Sequence, residues 1–184
     1  MTQYRRARAP GGTYFFTVNL ADRRSALLVQ HIDVLRGAYR SVAQALPFDT
    51  LAICILPEHL HAIWRLPSGD ADYSTRWQRI KAGFSRALPA AAGRSSSKRR
   101  KGEKGIWQRR FWEHQIRDDA DLQRHVDYIH FNPVKHGWAE QALAWPHSSF
   151  HRYVRDGLLL PDWAGNEAAS GGDFGEGGIG PDFS

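Results

Sequence analysis

Residues 50–66 decide the fold, and they read Thr50-Leu51-Ala52-Ile53-Cys54-Ile55-Leu56-Pro57-Glu58-His59-Leu60-His61-Ala62-Ile63-Trp64-Arg65-Leu66. The segment 50–56 is an apolar run of strand length, which is typical of a strand buried on both faces. Pro57 and Glu58 break the chain, and 59–66 then has the pattern of a second strand. We therefore predict an antiparallel β-hairpin over 50–66.

The segments on either side of this hairpin supply further strands and helices. Aromatic and β-branched residues favour strands, and apolar residues at helical spacing favour helices. The predicted strands are 14–19 and 106–116, and the predicted helices are 31–46, 73–88 and 119–131, the last ending before Pro133. This order predicts an α+β fold, a ferredoxin-like (RRM-like) antiparallel sheet with helices packed on one face.

The 184 residues suit one domain, which we expect to span 1–163. Residues 89–105 are rich in Ala, Gly, Ser, Lys and Arg, and they predict a flexible basic loop. The acidic, glycine-rich tail over 164–184 predicts disorder. The single cysteine, Cys54, excludes an intramolecular disulfide and suits a reducing cytoplasm. No apolar stretch is long enough to span a bilayer, so we expect no membrane partner.

The charge of the chain is unevenly distributed. Lys and Arg number 25 against 19 acids, and six of those acids follow Arg155, the last basic residue. Residues 1–155 therefore carry a net charge of +12 and the remainder carries −6. A body this basic suits a polyanionic partner, with nucleic acid first and an anionic membrane surface second. The alternative is an ordinary basic protein without such a partner.

Two histidines, His59 and His61, stand two residues apart on a predicted strand. Alternate residues of a strand point to the same face, so both imidazoles lie side by side while Leu60 faces the opposite layer. Paired imidazoles on a rigid strand form a partial site for a divalent metal. The alternative is that both are polar positions at the sheet surface.

A second group of polar residues lies along the predicted helix over 119–131 and just after its end. At 100° per residue, the apolar stripe of Leu122, Val126 and Ile129 is flanked by a polar stripe: Asp121, His125, Tyr128 and Asn132. Tyr128 offers a phenol that can act as a nucleophile, and Asn132 an amide oxygen that can bind a metal. The alternatives are an aromatic residue at the core edge and a residue that ends the helix before Pro133.

These motifs resemble a known family. His59-Leu60-His61 resembles the HUH motif, two histidines flanking a bulky hydrophobic residue, of the single-tyrosine HUH transposases. The chain is more narrowly similar to the REP-associated tyrosine transposases, which are tied to bacterial repetitive extragenic palindromes. The resemblance covers about residues 4–163 and is carried by the segments 10–15, 56–64, 107–114, 127–137 and 145–150.

The resemblance implies a metal-dependent single-stranded DNA endonuclease and strand transferase. Tyr128 would be the nucleophile, and His59, His61 and Asn132 would hold Mg²⁺ or Mn²⁺. The family cleaves and rejoins single strands around REP hairpins through a 5′-phosphotyrosine intermediate, without ATP. The resemblance further implies a bacterial, cytoplasmic protein associated with the nucleoid, which we expect to be a monomer or homodimer.

Basic residues are expected to contact the DNA phosphates. The candidates are Arg5, Arg6, Arg8, Arg76, Arg79, Lys81, Arg86, Lys98, Arg99, Arg100 and Lys101. Trp64, Trp107 and Trp112 could stack on unpaired bases or pack in the core. Two other functions remain open from the residues alone: a non-catalytic nucleic-acid-binding module and a metal-dependent phosphodiesterase that activates water.

Overall fold

The computed structural model describes residues 9–91, 96–165 and Phe174. Its four strands are β1 (Thr13–Asn19), β2 (Asp49–Ile55), β3 (His59–Arg65) and β4 (Trp112–Gln115). Its helices are α1 (Leu27–Gln30), α2 (Ile32–Ala45), α3 (Tyr73–Arg86), α4 (Ser96–Arg100), α5 (Asp119–Lys135) and α6 (Phe150–Arg155), with a 3₁₀ turn over Ala142–Ala144.

The strands form one antiparallel sheet in the order β2-β3-β1-β4. β2 and β3 pair as the predicted hairpin, with Cys54 opposite His61. β3 and β1 occupy the centre of the sheet, where Thr17 lies opposite His61. The α+β class and the ferredoxin-like βαββαβ order are confirmed.

Two hydrophobic cores lie on opposite faces of this sheet. Alternation along β1 sends Phe16 into one core, against Trp64 and Trp77, whose rings stack 4.2 Å apart. α2 and α3 cover that face, as predicted. Phe15 points into the other core, which α5 covers. The expectation that all helices share one face is therefore wrong for α5, because the second face is also apolar and has to be buried.

α5 is longer than the sequence predicts. It continues through Pro133 to Lys135 instead of ending near residue 131. Proline removes one backbone hydrogen-bond donor, but in the last turn this loss destabilises the helix only slightly. The amide of His136 still donates to the carbonyl of Asn132. At its start, the Asp118 side chain accepts from the amide of Asp121 and caps the helix.

The predicted strand over 106–116 is shorter in the structure. Only Trp112–Gln115 pairs with β1, while Trp107 makes an isolated bridge to Leu20. Ile106, Trp107 and Phe111 instead pack into the core beneath α3. Burial of these large side chains outweighs their period-two pattern.

The predicted basic loop over 89–105 contains one short helix, α4, none of whose residues is buried. The flexibility predicted for this loop stays a prediction. The candidates Arg5, Arg6 and Arg8 lie outside the described residues, and so does the predicted disordered tail except for Ala164, Gly165 and Phe174. Within the described ranges, no helix has the length and apolar character needed to cross a membrane.

Candidate active site

His59 and His61 lie at the centre of the sheet and are fully buried. Their ring centroids are 4.8 Å apart, and Leu60 between them packs into the core on the α2–α3 side. The predicted arrangement of two imidazoles on one face of β3 is therefore present. Burial removes the alternative that they are polar positions at the sheet surface.

Glu58 fixes the proton of His59. Its Oε1 lies 2.8 Å from His59 Nδ1, and because a carboxylate accepts, Nδ1 donates. Nε2 therefore carries the lone pair, and this buried atom has no hydrogen-bond partner among the described residues. Burial alone would raise the pKa of Glu58, but the hydrogen bond from His59 and the nearby charge of Arg23 outweigh it and lower the pKa.

Thr17 fixes the proton of His61 in the same way. The Thr17 hydroxyl donates to the carbonyl of Phe174 at 2.6 Å, so its oxygen accepts from His61 Nδ1 at 2.9 Å. The lone pair of His61 is thereby on Nε2. Both imidazoles carry the tautomer that binds a metal through Nε2, with partners that orient each ring. These residues fit a divalent cation.

Tyr128 on α5 packs against His61 of this pair. Its ring centroid is 5.2 Å from that of His61, and its side chain is 1% exposed. Asn132, one helical turn later, is fully buried. The structure thus places Tyr128 against the paired histidines and Asn132 one turn further along the same helix, because α5 crosses the face of the sheet that carries both histidines.

Phe174 covers the tyrosine. Its ring stacks on that of Tyr128 with centroids 3.6 Å apart and planes at 15°. The same ring lies 5.2 Å from His125 and 6.0 Å from Phe15. The sequence predicts no contact for Phe174, because an isolated aromatic residue among glycines and acids carries no periodic pattern.

Two more residues reach the site from the end of α5. Lys135 places Nζ 3.5 Å from the Tyr128 oxygen, and His136 places its ring 5.3 Å from that of His59. Neither residue belongs to the candidate site that the sequence predicts. Seven residues, close to two helical turns, separate Tyr128 from Lys135. A predicted helix that continued through Pro133 would therefore have placed Lys135 near Tyr128.

A second group of possible ligands flanks the tyrosine. His114, Asp121 and His125 place ligand atoms within 4.8 Å of one another, so this group could hold a metal ion. His114 Nε2 donates to Asp121 Oδ2 at 2.8 Å, and Arg124 donates to Oδ1 at 2.9 Å. A metal here would have to displace these hydrogen bonds, whereas His59 Nε2 is already available.

The DNA-binding candidates divide into exposed and buried residues. Arg76 is 2% exposed and donates to Asp70 and to the carbonyls of Leu46, Pro47 and Asp72. Its predicted role in phosphate contact is therefore wrong, since it ties α3 to the end of α2. The exposed candidates among the described residues are Arg79, Arg86, Arg99, Arg100 and Lys101.

A groove of about 590 Å³ runs between α3 and residues 102–111. Lys81, Arg86, Lys104 and Arg109 line it. Lys81 is half-buried and donates to the carbonyl of Gln108 at 2.6 Å. Trp64 and Trp107 are buried in the core, so stacking on bases is excluded for them in this conformation, and Trp112 is half-buried.

Comparisons with known proteins identify the family of this chain. A REP-associated tyrosine transposase of Escherichia coli K12 is 50% identical over 166 residues, which are 90% of this chain and 93% of that protein. The chain belongs to the REP-associated tyrosine transposase family. A relative from Haemophilus influenzae with the same family name is 48% identical over 167 residues, 90% of this transposase and 95% of the relative.

A solved structure supports the same assignment for the fold. It is that of a REP-associated tyrosine transposase bound to a REP hairpin, with 50% identity and a TM-score of 0.80. The match covers 90% of this transposase and 93% of that chain. No family model matches the sequence.

Proposed function

We propose that this transposase is a metal-dependent single-stranded DNA endonuclease and strand transferase that acts at REP-type hairpins through a 5′-phosphotyrosine intermediate. The observation that carries the proposal is the packing of Tyr128 against the paired imidazoles, with 5.2 Å between the ring centroids of Tyr128 and His61. A nucleophile and a cation site are thereby contributed by one chain. The relatives' family name and the REP hairpin bound to the solved relative support the choice of substrate.

The donor set favours a divalent cation held by His59, His61 and Asn132. Bound there, Mg²⁺ or Mn²⁺ would polarise the scissile phosphate and neutralise its developing charge. Imidazoles match Mn²⁺ better than Mg²⁺, which prefers oxygen ligands. Glu58 and Thr17 hold the two rings in the tautomer whose lone pair is on Nε2.

The proposed reaction conserves the phosphodiester bond. The Tyr128 oxygen attacks the phosphorus, forming an O–P bond, while the bond from phosphorus to the 3′ oxygen of the preceding nucleotide breaks. The phenolic proton passes to solvent, and the 3′ oxygen leaves as a hydroxyl after taking up a proton. Attack by a 3′ hydroxyl on the phosphotyrosine reverses these changes and rejoins a strand, so no ATP is required.

We propose that the exposed basic residues bind the hairpin. Arg99 and Arg100 end α4, and Lys101 follows them. These residues come directly before the segment 102–111, which bounds the groove. Together with Arg79 on α3, they offer positive charge for phosphates without reading base sequence. Arg5 and Arg6 remain candidates by their charge alone.

The proposal extends to organisation and location. Residues 1–163 would form the catalytic domain and 164–184 an acidic tail. Because one chain provides Tyr128, His59 and His61, a monomer would suffice for catalysis, and a homodimer stays an alternative. A protein that acts on chromosomal DNA would work in the bacterial cytoplasm at the nucleoid.

A labelled hairpin with single-stranded flanks, mixed with the protein and Mn²⁺, tests this function by denaturing electrophoresis. We expect a protein–DNA adduct that the Tyr128→Phe and His59→Ala variants do not form. Hydrolysis retained by Tyr128→Phe would favour the phosphodiesterase. Binding without cleavage by the unsubstituted protein would favour the non-catalytic binding module.

A further inference from the structure

We propose that Lys135 is a further catalytic residue, which holds the Tyr128 oxygen and neutralises the charge that it shares with the phosphate during strand transfer. This inference rests on the proposed function. Its basis is one side chain that makes two contacts to the nucleophile. Lys135 Nζ donates to the Tyr128 oxygen at 3.5 Å and lies 4.8 Å from the centroid of the Tyr128 ring.

The backbone of α5 explains why the two side chains meet. Seven residues separate Tyr128 from Lys135, and at 100° per residue they differ by about 20° around the helix. Helical side chains lean towards the N-terminus, so the lysine reaches back over the preceding turns. This alignment requires the helix to continue through Pro133, as it does.

Three aromatic rings from the described part of the chain also contact Tyr128, and none of them has a fixed positive charge. Phe174 stacks on its ring, Phe15 packs against its edge, and His61 lies edge-on to it from β3. Within these contacts, the ammonium of Lys135 is the group that can donate a charged hydrogen bond to the oxygen. A charge-assisted hydrogen bond is stronger than a neutral one.

A positively charged donor at the Tyr128 oxygen assists both strand cleavage and strand rejoining. A phenol is a weak nucleophile at neutral pH because its ordinary pKa is about 10. As the Tyr128 O–P bond forms and the bond to the 3′ oxygen breaks, negative charge spreads over the attacking oxygen and the phosphate. In this role Lys135 donates a hydrogen bond and takes no proton from the phenol. During rejoining the Tyr128 oxygen is the leaving group, and Lys135 donates to it again.

A lysine at the end of a helix has two simpler roles, and the test has to separate them from catalysis. It can stabilise the helix through the macrodipole, or it can bind a DNA phosphate. The first role changes folding and the second changes DNA affinity. Neither role predicts a slower step once all the DNA is bound.

The experiment measures single-turnover adduct formation at saturating hairpin DNA in Mn²⁺. It compares the unsubstituted protein with Lys135→Met, Lys135→Arg and Lys135→Ala, and uses Arg155→Met as the control for loss of one exposed positive charge. Hairpin affinity is measured separately in a Tyr128→Phe background, and Mn²⁺ affinity by electron paramagnetic resonance. Thermal unfolding shows whether each variant is folded.

We expect Lys135→Met to slow adduct formation about 100-fold at saturating DNA, which is the usual loss of one donor at a developing oxyanion. Mn²⁺ affinity stays unchanged, and hairpin affinity changes less than about threefold. Lys135→Arg retains much of the rate, and added ethylammonium partly restores Lys135→Ala. Arg155→Met matches the unsubstituted protein.

An unchanged rate for folded Lys135→Met at saturating DNA would overturn the inference while the adduct itself still supports the proposed function. A loss confined to hairpin affinity would likewise overturn it and assign Lys135 to phosphate binding. If the unsubstituted protein forms no adduct that depends on Tyr128, the proposed function fails, and this inference fails with it.

Discussion

The ring of Tyr128 lies edge-on to that of His61, with centroids 5.2 Å apart and planes at 73°. The two residues come from different elements, α5 and β3, and are 67 positions apart in the chain. Both are buried, so the sheet and the helix hold them against each other. This contact joins the proposed nucleophile to the proposed metal site and underlies the predictions below.

Replacing Glu58 with Gln should weaken metal binding. The substitution removes the negative charge that accepts from His59 Nδ1 at 2.8 Å and orients the ring. Partners of this kind typically change metal affinity about 10- to 100-fold when they are removed. Titration with Mn²⁺ followed by electron paramagnetic resonance measures the effect. Glu140→Gln, an exposed site, is the control, and equal affinity in both variants would contradict this role for Glu58.

Removing Phe174 should expose the nucleophile. The Phe174 ring covers Tyr128 at 3.6 Å, so a phosphate can approach that side of the phenol only after the ring has moved. We expect Phe174→Ala to form adduct faster and to accelerate nitration of Tyr128 by tetranitromethane. Leu158→Ala, which removes an exposed apolar side chain elsewhere, is the control. Slower adduct formation in Phe174→Ala would show that the ring supports catalysis instead of covering the site.

Asp121 should stabilise the fold in a pH-dependent way. Burial would raise its pKa, but hydrogen bonds from His114, the Arg117 amide and Arg124 lower it from 3.8 to about 2. A carboxyl whose pKa is lower in the folded state stabilises that state above its unfolded pKa, and this stabilisation is lost as pH falls towards the folded pKa. The lowered pKa of Asp121 stabilises the folded state by about 2 kcal/mol at neutral pH.

Urea unfolding at a series of pH values measures this contribution. Asp121→Asn should lower the free energy of unfolding by about 2 kcal/mol at pH 7. The difference should hold down to about pH 4 and shrink between there and about pH 2. Asp119→Asn, an exposed acid in the same helical turn, should cost under about 1 kcal/mol. A difference for Asp121→Asn that is independent of pH would contradict the electrostatic account.

The basic helix α4 should contribute salt-sensitive DNA affinity. Replacing Lys98, Arg99, Arg100 and Lys101 with Gln removes four positive charges. If all four contact phosphates, the slope of log K against log salt should become shallower by about 3 to 4. Fluorescence anisotropy with a labelled hairpin measures the slope, and Arg155→Gln is the control. An unchanged slope would show that these four residues do not contact the phosphates of the hairpin.

The sequence predicts the fold well where patterns are local and periodic. The hairpin around Pro57 and the helices α2 and α3 follow from apolar runs and breaks, and alternation along β3 correctly places both histidines on one face. The position of α5 on the opposite face does not follow, because a helix pattern identifies its buried stripe but not the sheet face that receives it.

The contact between the candidate residues of the motifs is predictable from the sequence, whereas the surroundings of the candidate site are not. His59, His61, Tyr128 and Asn132 belong to motifs, whereas the contacts of Lys135, His136 and Phe174 depend on where the chain places them. Arg76 shows the opposite error, because its charge suggested a surface role while four backbone and carboxylate acceptors hold it in the interior. Composition cannot reveal such pairing.

The most direct test of the central claim identifies the amino acid that becomes linked to DNA. The protein is allowed to react with a hairpin oligonucleotide in Mn²⁺, then digested with nuclease and trypsin and analysed by tandem mass spectrometry. The account predicts a nucleotide joined through its 5′ phosphate to Tyr128 in the peptide spanning residues 125–135. A nucleotide on any other residue, or cleaved DNA with no modified peptide, would contradict it.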